Sequence, residues 1–300
     1  MIKDTVAQFD GLEWGIMATG VVSFENSAGG FSLSSPSTVA EAVSELIGGI
    51  GASERCIVWR GQSNCRWKPI PGLYRRLQKA GYTDAEINES LVLQYEDDLL
   101  CEANGLGYYH QAGGNRLDLM VNLQHMGGAT RLLDVTRDPF IALWFAVNEN
   151  DDTGGIVYRY EIAHSCYAET ESIDNWSSVI NPDLAGRPLL FKPKRINERI
   201  KAQSALFLTT VLADVLSEPS IFTHSPPLID VKPVLISREL KRGLRDYLRR
   251  SRGLRAVDLF PDFQGFAQAN SANAAFPRSQ TELYSSDEDG LFSPQYQPGE

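Results

Sequence analysis

Two stretches of this sequence place charged and polar side chains at the edges of apolar segments. In "IVWRGQ", Arg60 directly follows an apolar run, and in "QHMGGATRLLDVTRDPFIALWFA" (residues 124–146) polar residues precede a dense apolar helix. Charged groups are seldom fully buried unless they are paired. The planar fork of an arginine can hold two oxygens of a phosphate group. We therefore predict that the two stretches face one another across a cleft and form one polar site for an anionic ligand.

Apolar periodicity and turn residues predict the elements that position this site. Ser37 or Thr38 is expected to cap a first helix, Thr83 or Asp84 a long second one, and Asp138, followed by Pro139, the apolar helix of residues 124–146. Helices are predicted within 37–50, 66–81, 83–106, 115–128, 138–150, 237–253 and 257–270, and strands within 15–24, 56–61, 129–136, 154–163, 189–211 and 232–237.

Bulk composition limits the class of protein. The 300 residues are 43% hydrophobic, which is enough for one large domain or two small ones. A formal net charge of −10 disfavours nucleic-acid binding through a broad positive field, although a local basic patch stays open. The cysteines are scattered without a CxxC pair, which argues against a zinc site or any other metal site and against a disulfide framework. With neither a membrane-length apolar run nor a signal peptide, we predict a cytoplasmic protein without a membrane partner.

Five stretches, in this order and spacing, resemble the FRG domain, a family named for an aromatic-Arg-Gly motif in which Trp59 stands here where phenylalanine is common. They are "WRGQ" (59–62), "PGLYRR" (71–76), "LQHMGGATRLLDVTRDPFIALWFA" (123–146), "NERIKAQSALF" (197–207) and "LFPDFQGFA" (259–267). The resemblance covers residues 37–270, so we predict an N-terminal extension over 1–36 and a disordered, acidic and polar tail over 276–300. Family members linked to bacterial antiviral or toxin-like systems imply such a role by association.

A more distant resemblance is to the ADP-ribosyltransferase core. The Arg60-Gly pair at the end of a first strand, a second strand ending in Thr136, and a following helix of the form Ala-x-x-Phe-Ala carry it. It implies an α+β fold with a mixed, largely antiparallel sheet and flanking helices, and NAD as substrate. It also implies that Arg60 holds NAD and that Thr136, with Asp134, shapes the nicotinamide pocket. Gln203 takes the place where a glutamate is expected, and Glu198 lies earlier in the chain.

Cleavage of NAD would need a cation against the phosphates, acceptors for the ribose hydroxyls and a slot for the ring. Arg60 suits the first role and Asp134 suits stabilisation of the oxocarbenium-like charge. Gln203 can orient a ligand but cannot take a proton. Ribose binding is assigned to Gln62 or His125, and ring stacking to Trp59 or Tyr74. The predicted catalytic residues are Arg60, Asp134, Thr136 and Gln203, and the predicted ligand-binding residues are Trp59, Gly61, Gln62, Tyr74, His125 and Arg131.

Each assignment has a structural alternative. Arg60 or Arg131 can instead pair with the carboxylate of Asp134, because structural ion pairs are common. Gln203 can be a buried amide that bonds to the backbone, and His125 can have an ordinary hydrogen-bonding role.

Three functions follow from these alternatives. The first is an NAD-consuming transferase or glycohydrolase with an undefined protein or nucleic-acid acceptor. The second is a module that binds a nucleotide or phosphorylated ligand without turnover. The third is a nucleic-acid-associated factor that acts through the basic helix 238–252, with Arg245, Arg249 and Arg250 as its contacts.

Overall fold

The computed structural model describes residues 32–111, 113–168, 188–193, 197–209 and 228–269, together with short strands at 7–9, 12–14 and 21–23. The predicted tail 276–300 and most of the predicted extension 1–36 lie outside the described residues. Within the described ranges no helix is long and apolar enough to cross a membrane.

The strands that the structure describes are between two and eight residues long. They are β1 (Ala7–Phe9), β2 (Leu12–Trp14), β3 (Val21–Ser23), β4 (Ser32–Ser34), β5 (Cys56–Gln62), β6 (Leu133–Thr136), β7 (Gly155–Ile162), β8 (Tyr167–Ala168), β9 (Leu189–Phe191), β10 (Ala205–Thr209) and β11 (Ile229–Ile236). The helices are α1 (Val39–Ile47), α2 (Gly72–Lys79), α3 (Glu89–Gly105), α4 (Tyr108–Gln111), α5 (Arg116–His125), α6 (Pro139–Val147), α7 (Glu198–Ala202), α8 (Arg238–Arg252), α9 (Ala256–Leu259) and α10 (Phe263–Ala269).

Nine of these strands form one mixed sheet in the order β3-β4-β11-β7-β5-β6-β10-β9-β8, and β1 and β2 form a separate antiparallel pair. The pairs β4–β11 and β8–β9 are parallel, and the other pairs of the sheet are antiparallel. The prediction of an α+β fold with a largely antiparallel sheet and flanking helices is confirmed at this level.

The centre of the sheet is covered on both faces. Every residue of β7 is buried between its neighbours β5 and β11. Val58 of β5 packs on one face in a cluster with α2 and α3, whereas Trp59 packs on the other face in a cluster with α1, α6 and α8. Because successive side chains of a strand point to opposite faces, the strand that carries Arg60 is anchored from both sides.

Local signals set most helix ends as predicted. Thr38 caps α1, and Asp138 caps α6 with Pro139 in the first turn. Ser237, which was not predicted as a cap, caps α8. The predicted start of the long helix at Thr83 or Asp84 is wrong, because the amide oxygen of Asn88 caps α3 instead. Helix α7, within the basic stretch before β10, was not predicted.

Candidate functional site

Helix α6 lies directly against strands β5 and β7 because two glycines leave room for its backbone. A Cβ atom on Gly61 would lie 1.8 Å from the carbonyl oxygen of Ala142, and one on Gly155 would lie 2.1 Å from that of Ala146. Side chains at these positions would push the helix off the sheet. The glycine of the Trp-Arg-Gly stretch is therefore a packing residue, and it brings α6 beside Arg60.

Strands β5 and β6 are neighbours over a very short distance. Their one registered pair is Trp59 with Thr136. Past this pair the guanidinium of Arg60 reaches across and donates from Nη1 to the carbonyl oxygen of Asp134 at 2.8 Å. Beyond the pair of Trp59 and Thr136, the contact of Arg60 with Asp134 therefore replaces backbone pairing between the strands. The two predicted polar stretches meet at this contact.

A cavity of about 690 Å³, here called the large chamber, lies on the α6 side of this junction. Its walls come from β5, β6, α6, the end of α5, the start of β10 and the segment around α9 and α10. The predicted site residues that line the large chamber are Trp59, Arg60, Gly61, His125, Asp134, Thr136 and Gln203.

A second cavity of about 330 Å³, the small chamber, adjoins the first. Gln62, another predicted ligand-binding residue, lines the small chamber and not the large one. Four residues line both chambers: Arg60, Gly61, Phe145 and Phe260.

Arg60 is half-buried and is held only by uncharged acceptors. Its Nε donates to Oε1 of Gln62 at 3.2 Å, and its Nη1 donates to the backbone of Asp134. The rest of the five N–H donors of Arg60 have no partner, and no ion pair involves it, among the described residues. The alternative that Arg60 pairs with the carboxylate of Asp134 is therefore wrong, since the contact is to the carbonyl oxygen.

The carboxylate of Asp134 is the one acidic group among the residues that line the large chamber in the described part of the chain. Nε2 of Gln124 donates to its Oδ2 at 2.5 Å, and Oγ1 of Thr130 donates to Oε1 of Gln124 at 2.6 Å. This relay fixes the orientation of Asp134. Across the described ranges no group of three or more His, Cys, Asp or Glu side chains could hold a metal ion.

His125 adds a buried imidazole to the wall of the large chamber. The residue is 8% exposed, its ring meets that of Phe207 edge-on at 5.3 Å between centroids, and its Nε2 finds no partner in the described part of the chain. Burial lowers the pKa of His125; the charge of Asp134 raises this pKa and that of Arg199 lowers it further. The lowered pKa favours a neutral imidazole at pH 7.

Thr136 and Gln203 line the large chamber with polar groups that are already engaged. Oγ1 of Thr136 donates to the carbonyl oxygen of Gln203 at 2.7 Å and accepts the N–H of Asp138 at 3.1 Å. Nε2 of Gln203 donates to the carbonyl oxygen of Leu259 at 3.0 Å. The alternative that Gln203 bonds to the backbone is confirmed, and both side chains hold the wall together.

Arg199, which sequence reasoning missed, organises the wall opposite β5. Its Nη2 donates to Oδ1 of Asp262 at 2.8 Å, its Nε donates to Oδ2 of the same carboxylate, and its Nη1 donates to the carbonyl oxygen of His125 at 2.7 Å. The guanidinium also lies over the ring of Phe260, 5.2 Å from the centroid. A signal was present, because Arg199 and Asp262 lie in the "NERIKAQ" and "PDFQGFA" stretches.

Two predicted ligand-binding residues lie outside both chambers. Tyr74 is fully buried in the core with α2 and α3, so its ring cannot stack on a ligand. Arg131 is 1% exposed and forms ion pairs with Glu96 and Glu89, each at 2.7 Å. Burial lowers the pKa of Arg131, but these carboxylates raise it above its ordinary value. The assignment of Tyr74 and Arg131 to ligand binding is therefore wrong. The alternative that Arg131 pairs with Asp134 is also wrong, since Arg131 pairs with Glu96 and Glu89.

Part of the charge of the basic helix α8 is neutralised locally. Arg245 pairs with Asp151 at 2.5 Å, and Arg249 lies 3.8 Å from Asp246. The ammonium of Lys241 is buried and donates to three backbone carbonyl oxygens. A nucleic-acid contact through this helix stays a prediction.

The scan against family models matches one family, described as FRG domain, over residues 55–154. The matched span begins just before β5 and ends just before β7, so it contains Arg60, the relay to Asp134 and helix α6. Neither the curated proteins nor the solved structures include a significant match to the chain. Residues 55–154 of this protein are an FRG domain.

Proposed function

We propose that the large chamber binds NAD, or a dinucleotide of the same kind, and breaks the bond between nicotinamide and ribose. The observation that carries this proposal is Arg60, a half-buried guanidinium on the chamber wall that no carboxylate of the described residues neutralises. A buried cation is favourable only with a counter-charge or a full set of hydrogen bonds. A diphosphate supplies both, because its oxygens can accept from the N–H donors of Arg60 that have no partner among the described residues.

Asp134 supports the bond-breaking step. As the bond from C1′ to nicotinamide breaks, nicotinamide leaves with the bonding electron pair and positive charge develops on the ribose. A carboxylate oriented before the reaction stabilises that charge without reorganisation. Water or another nucleophile then bonds to C1′ and releases a proton, which the neutral imidazole of His125 is suited to accept.

The order of elements around the chamber supports the ADP-ribosyltransferase-like interpretation. Arg60 lies on one strand, Thr136 on the adjacent antiparallel strand, and α6 follows Thr136 directly. Consumption of NAD would also suit the toxin-like or antiviral setting that the family resemblance implies. The site differs from the ADP-ribosyltransferase pattern at Gln203, which takes the place of the expected glutamate and supplies no carboxylate.

A second candidate, binding of a nucleotide without turnover, is favoured by that difference. The amide of Gln203 and the hydroxyl of Thr136 are both committed to backbone groups. The large chamber therefore offers Asp134 as its one carboxylate among the described residues. An enzyme with this site would rely on Asp134 and His125 for all charge stabilisation and proton transfer.

The test is to incubate the purified protein with NAD and to measure nicotinamide release by chromatography and NAD binding by calorimetry. We expect Arg60→Gln to lose NAD binding and Asp134→Asn to retain binding but lose release by at least about 100-fold. Arg250→Gln, which removes one exposed charge from α8, is the matched control and should behave as the unmodified protein. Binding without release would establish the second candidate, and absence of both binding and release would refute the proposal.

A further inference from the structure

The small chamber adjoins the large one at Arg60. Arg60, Gly61, Phe145 and Phe260 form walls of both, so a ligand held by Arg60 can extend into either. The volumes differ, about 690 Å³ against about 330 Å³, and the small chamber has lining residues of its own: Trp67, Arg75 and Glu149 among them.

Arg75 places a second guanidinium close to that of Arg60. It projects from helix α2 into the small chamber, and it makes no hydrogen bond or ion pair with any residue that the structure describes. Desolvation and then the charge of Arg60 lower the pKa of Arg75, and the carboxylate of Asp134 raises it. Arg75 is exposed, its guanidinium and that of Arg60 repel each other, and an anion between them would relieve that repulsion.

Trp67 gives the small chamber an aromatic surface. Its side chain is 45% exposed and lines the chamber, so one face of the ring is available to a ligand. Gln62 connects it to Arg60, because the amide of Gln62 accepts from Nε of Arg60 and donates from Nε2 to the carbonyl oxygen of Trp67 at 2.7 Å. The exposed carboxylate of Glu149 lies on the same wall, where it can accept bonds from sugar hydroxyls.

We propose that the small chamber binds the second nucleotide unit of a dinucleotide whose first unit occupies the large chamber. The diphosphate lies between Arg60 and Arg75, and the second base stacks on Trp67. This inference rests on the proposed function and extends it, because it makes Arg75 and Trp67 the residues that select a dinucleotide over a mononucleotide. Base stacking on an aromatic side chain and charge-assisted phosphate contacts are the interactions involved.

The experiment compares NAD with nicotinamide mononucleotide, which lacks the second unit. Calorimetry is done with full-length protein carrying Asp134→Asn, so that neither ligand is consumed. We expect NAD to bind at least about 100-fold more tightly than the mononucleotide. Arg75→Ala and Trp67→Ala should each weaken NAD binding by about 10-fold and change mononucleotide binding by less than about 2-fold. The controls are Lys79→Ala, an exposed charge on the same helix, and Tyr82→Ala, an exposed aromatic outside both chambers.

The outcomes separate the two proposals. If NAD binds but Arg75→Ala and Trp67→Ala affect both ligands equally, or affect neither, the small chamber does not hold the second unit and the proposed function still stands. If NAD does not bind to the protein with Asp134→Asn or to the unmodified protein, the proposed function and this inference both fail. Thermal unfolding of each variant within about 2 °C of its parent excludes a folding defect.

Discussion

Arg60 and Arg131 both lie beside strand β6, yet the protein holds them in opposite ways. Arg131 is 1% exposed and is neutralised by the carboxylates of Glu96 and Glu89. Arg60 is half-buried, and its contacts with the described residues are to an amide oxygen and a carbonyl oxygen. The charge of Arg131 is neutralised by carboxylates of the protein. Among the described residues, Arg60 has no such partner, and several of its N–H donors are available to a ligand.

The difference shows how a functional cation can be told from a structural one. A buried ion pair that loses one partner leaves an uncompensated charge, so the fold depends on both members. A guanidinium held by neutral groups at a cavity contributes little to stability and much to the potential of the cavity. Stability should therefore respond to mutations around Arg131, and ligand binding to mutations around Arg60.

The largest expected effect is the loss of stability in Glu96→Gln. Glu96 is fully buried, and its replacement removes the carboxylate that accepts from both Nε and Nη2 of Arg131. We expect the free energy of unfolding to fall by about 3 kcal/mol, measured by urea denaturation. Glu102→Gln, on the exposed face of the same helix, should change it by less than about 0.5 kcal/mol. A loss below about 1 kcal/mol in Glu96→Gln would mean that Glu89 suffices and that the comparison overstates the role of the pair.

The next effect concerns the packing beside Arg60. In Gly61→Ala the new methyl group would meet the carbonyl oxygen of Ala142 at 1.8 Å, so helix α6 must move. We expect a loss of about 2 kcal/mol in the free energy of unfolding, since inserting a methyl group into a tightly packed contact usually costs about 1–3 kcal/mol. Gly105→Ala, where a Cβ meets nothing within 4 Å, is the control. Equal stability of the two variants would show that α6 can shift freely, and then the chamber wall is not fixed by this glycine.

Much of the frame around the chamber could be predicted from local signals. Asp138 and Pro139 mark the start of α6, Ser237 and Gly253 mark the two ends of α8, and Val, Ile and Tyr residues after a turn rich in Asp and Gly mark β7. Such signals act within a few residues, and a single sequence contains all the information that they need.

Side-chain partners that are distant in sequence could not be predicted in the same way. The buried partner of Arg131 is Glu96, which is 35 positions earlier in a different helix, and nothing local distinguishes Arg131 from Arg60. A tyrosine side chain can stack on a ligand, which is why Tyr74 was predicted to bind one. Whether Tyr74 faces the core or a cavity depends on how α2 packs, and it faces the core. Arg199 was missed for the same reason, because its role arises from contact with Asp262, 63 positions later.

A smaller loss of stability is expected for Arg60→Gln, which tests the comparison of Arg131 with Arg60 at Arg60 itself. The variant loses hydrogen bonds to uncharged groups, so we expect the free energy of unfolding to fall by only about 1 kcal/mol. Excess pyrophosphate, at about ten times its dissociation constant, should stabilise the unmodified protein by about 1 kcal/mol through binding to the native state. Pyrophosphate should not stabilise Arg60→Gln. Equal stabilisation of the two proteins would place the anion elsewhere, for example on α8.

The smallest effect is the pH dependence contributed by His125. Burial lowers its pKa in the folded protein below the ordinary value of 6.5, while the unfolded chain keeps that value, so the unfolded state binds the proton more readily. The free energy of unfolding should therefore fall as pH drops below 6.5 and be nearly independent of this group above pH 7. His125→Asn should flatten the dependence measured by denaturation at each pH, and His110→Asn, on an exposed side chain, should not. Because Asp134 and Arg199 face His125 with opposite effects on its pKa, pyrophosphate bound beside them adds negative charge and should also flatten the curve. An unchanged curve in His125→Asn would show that groups other than His125 cause the acid sensitivity.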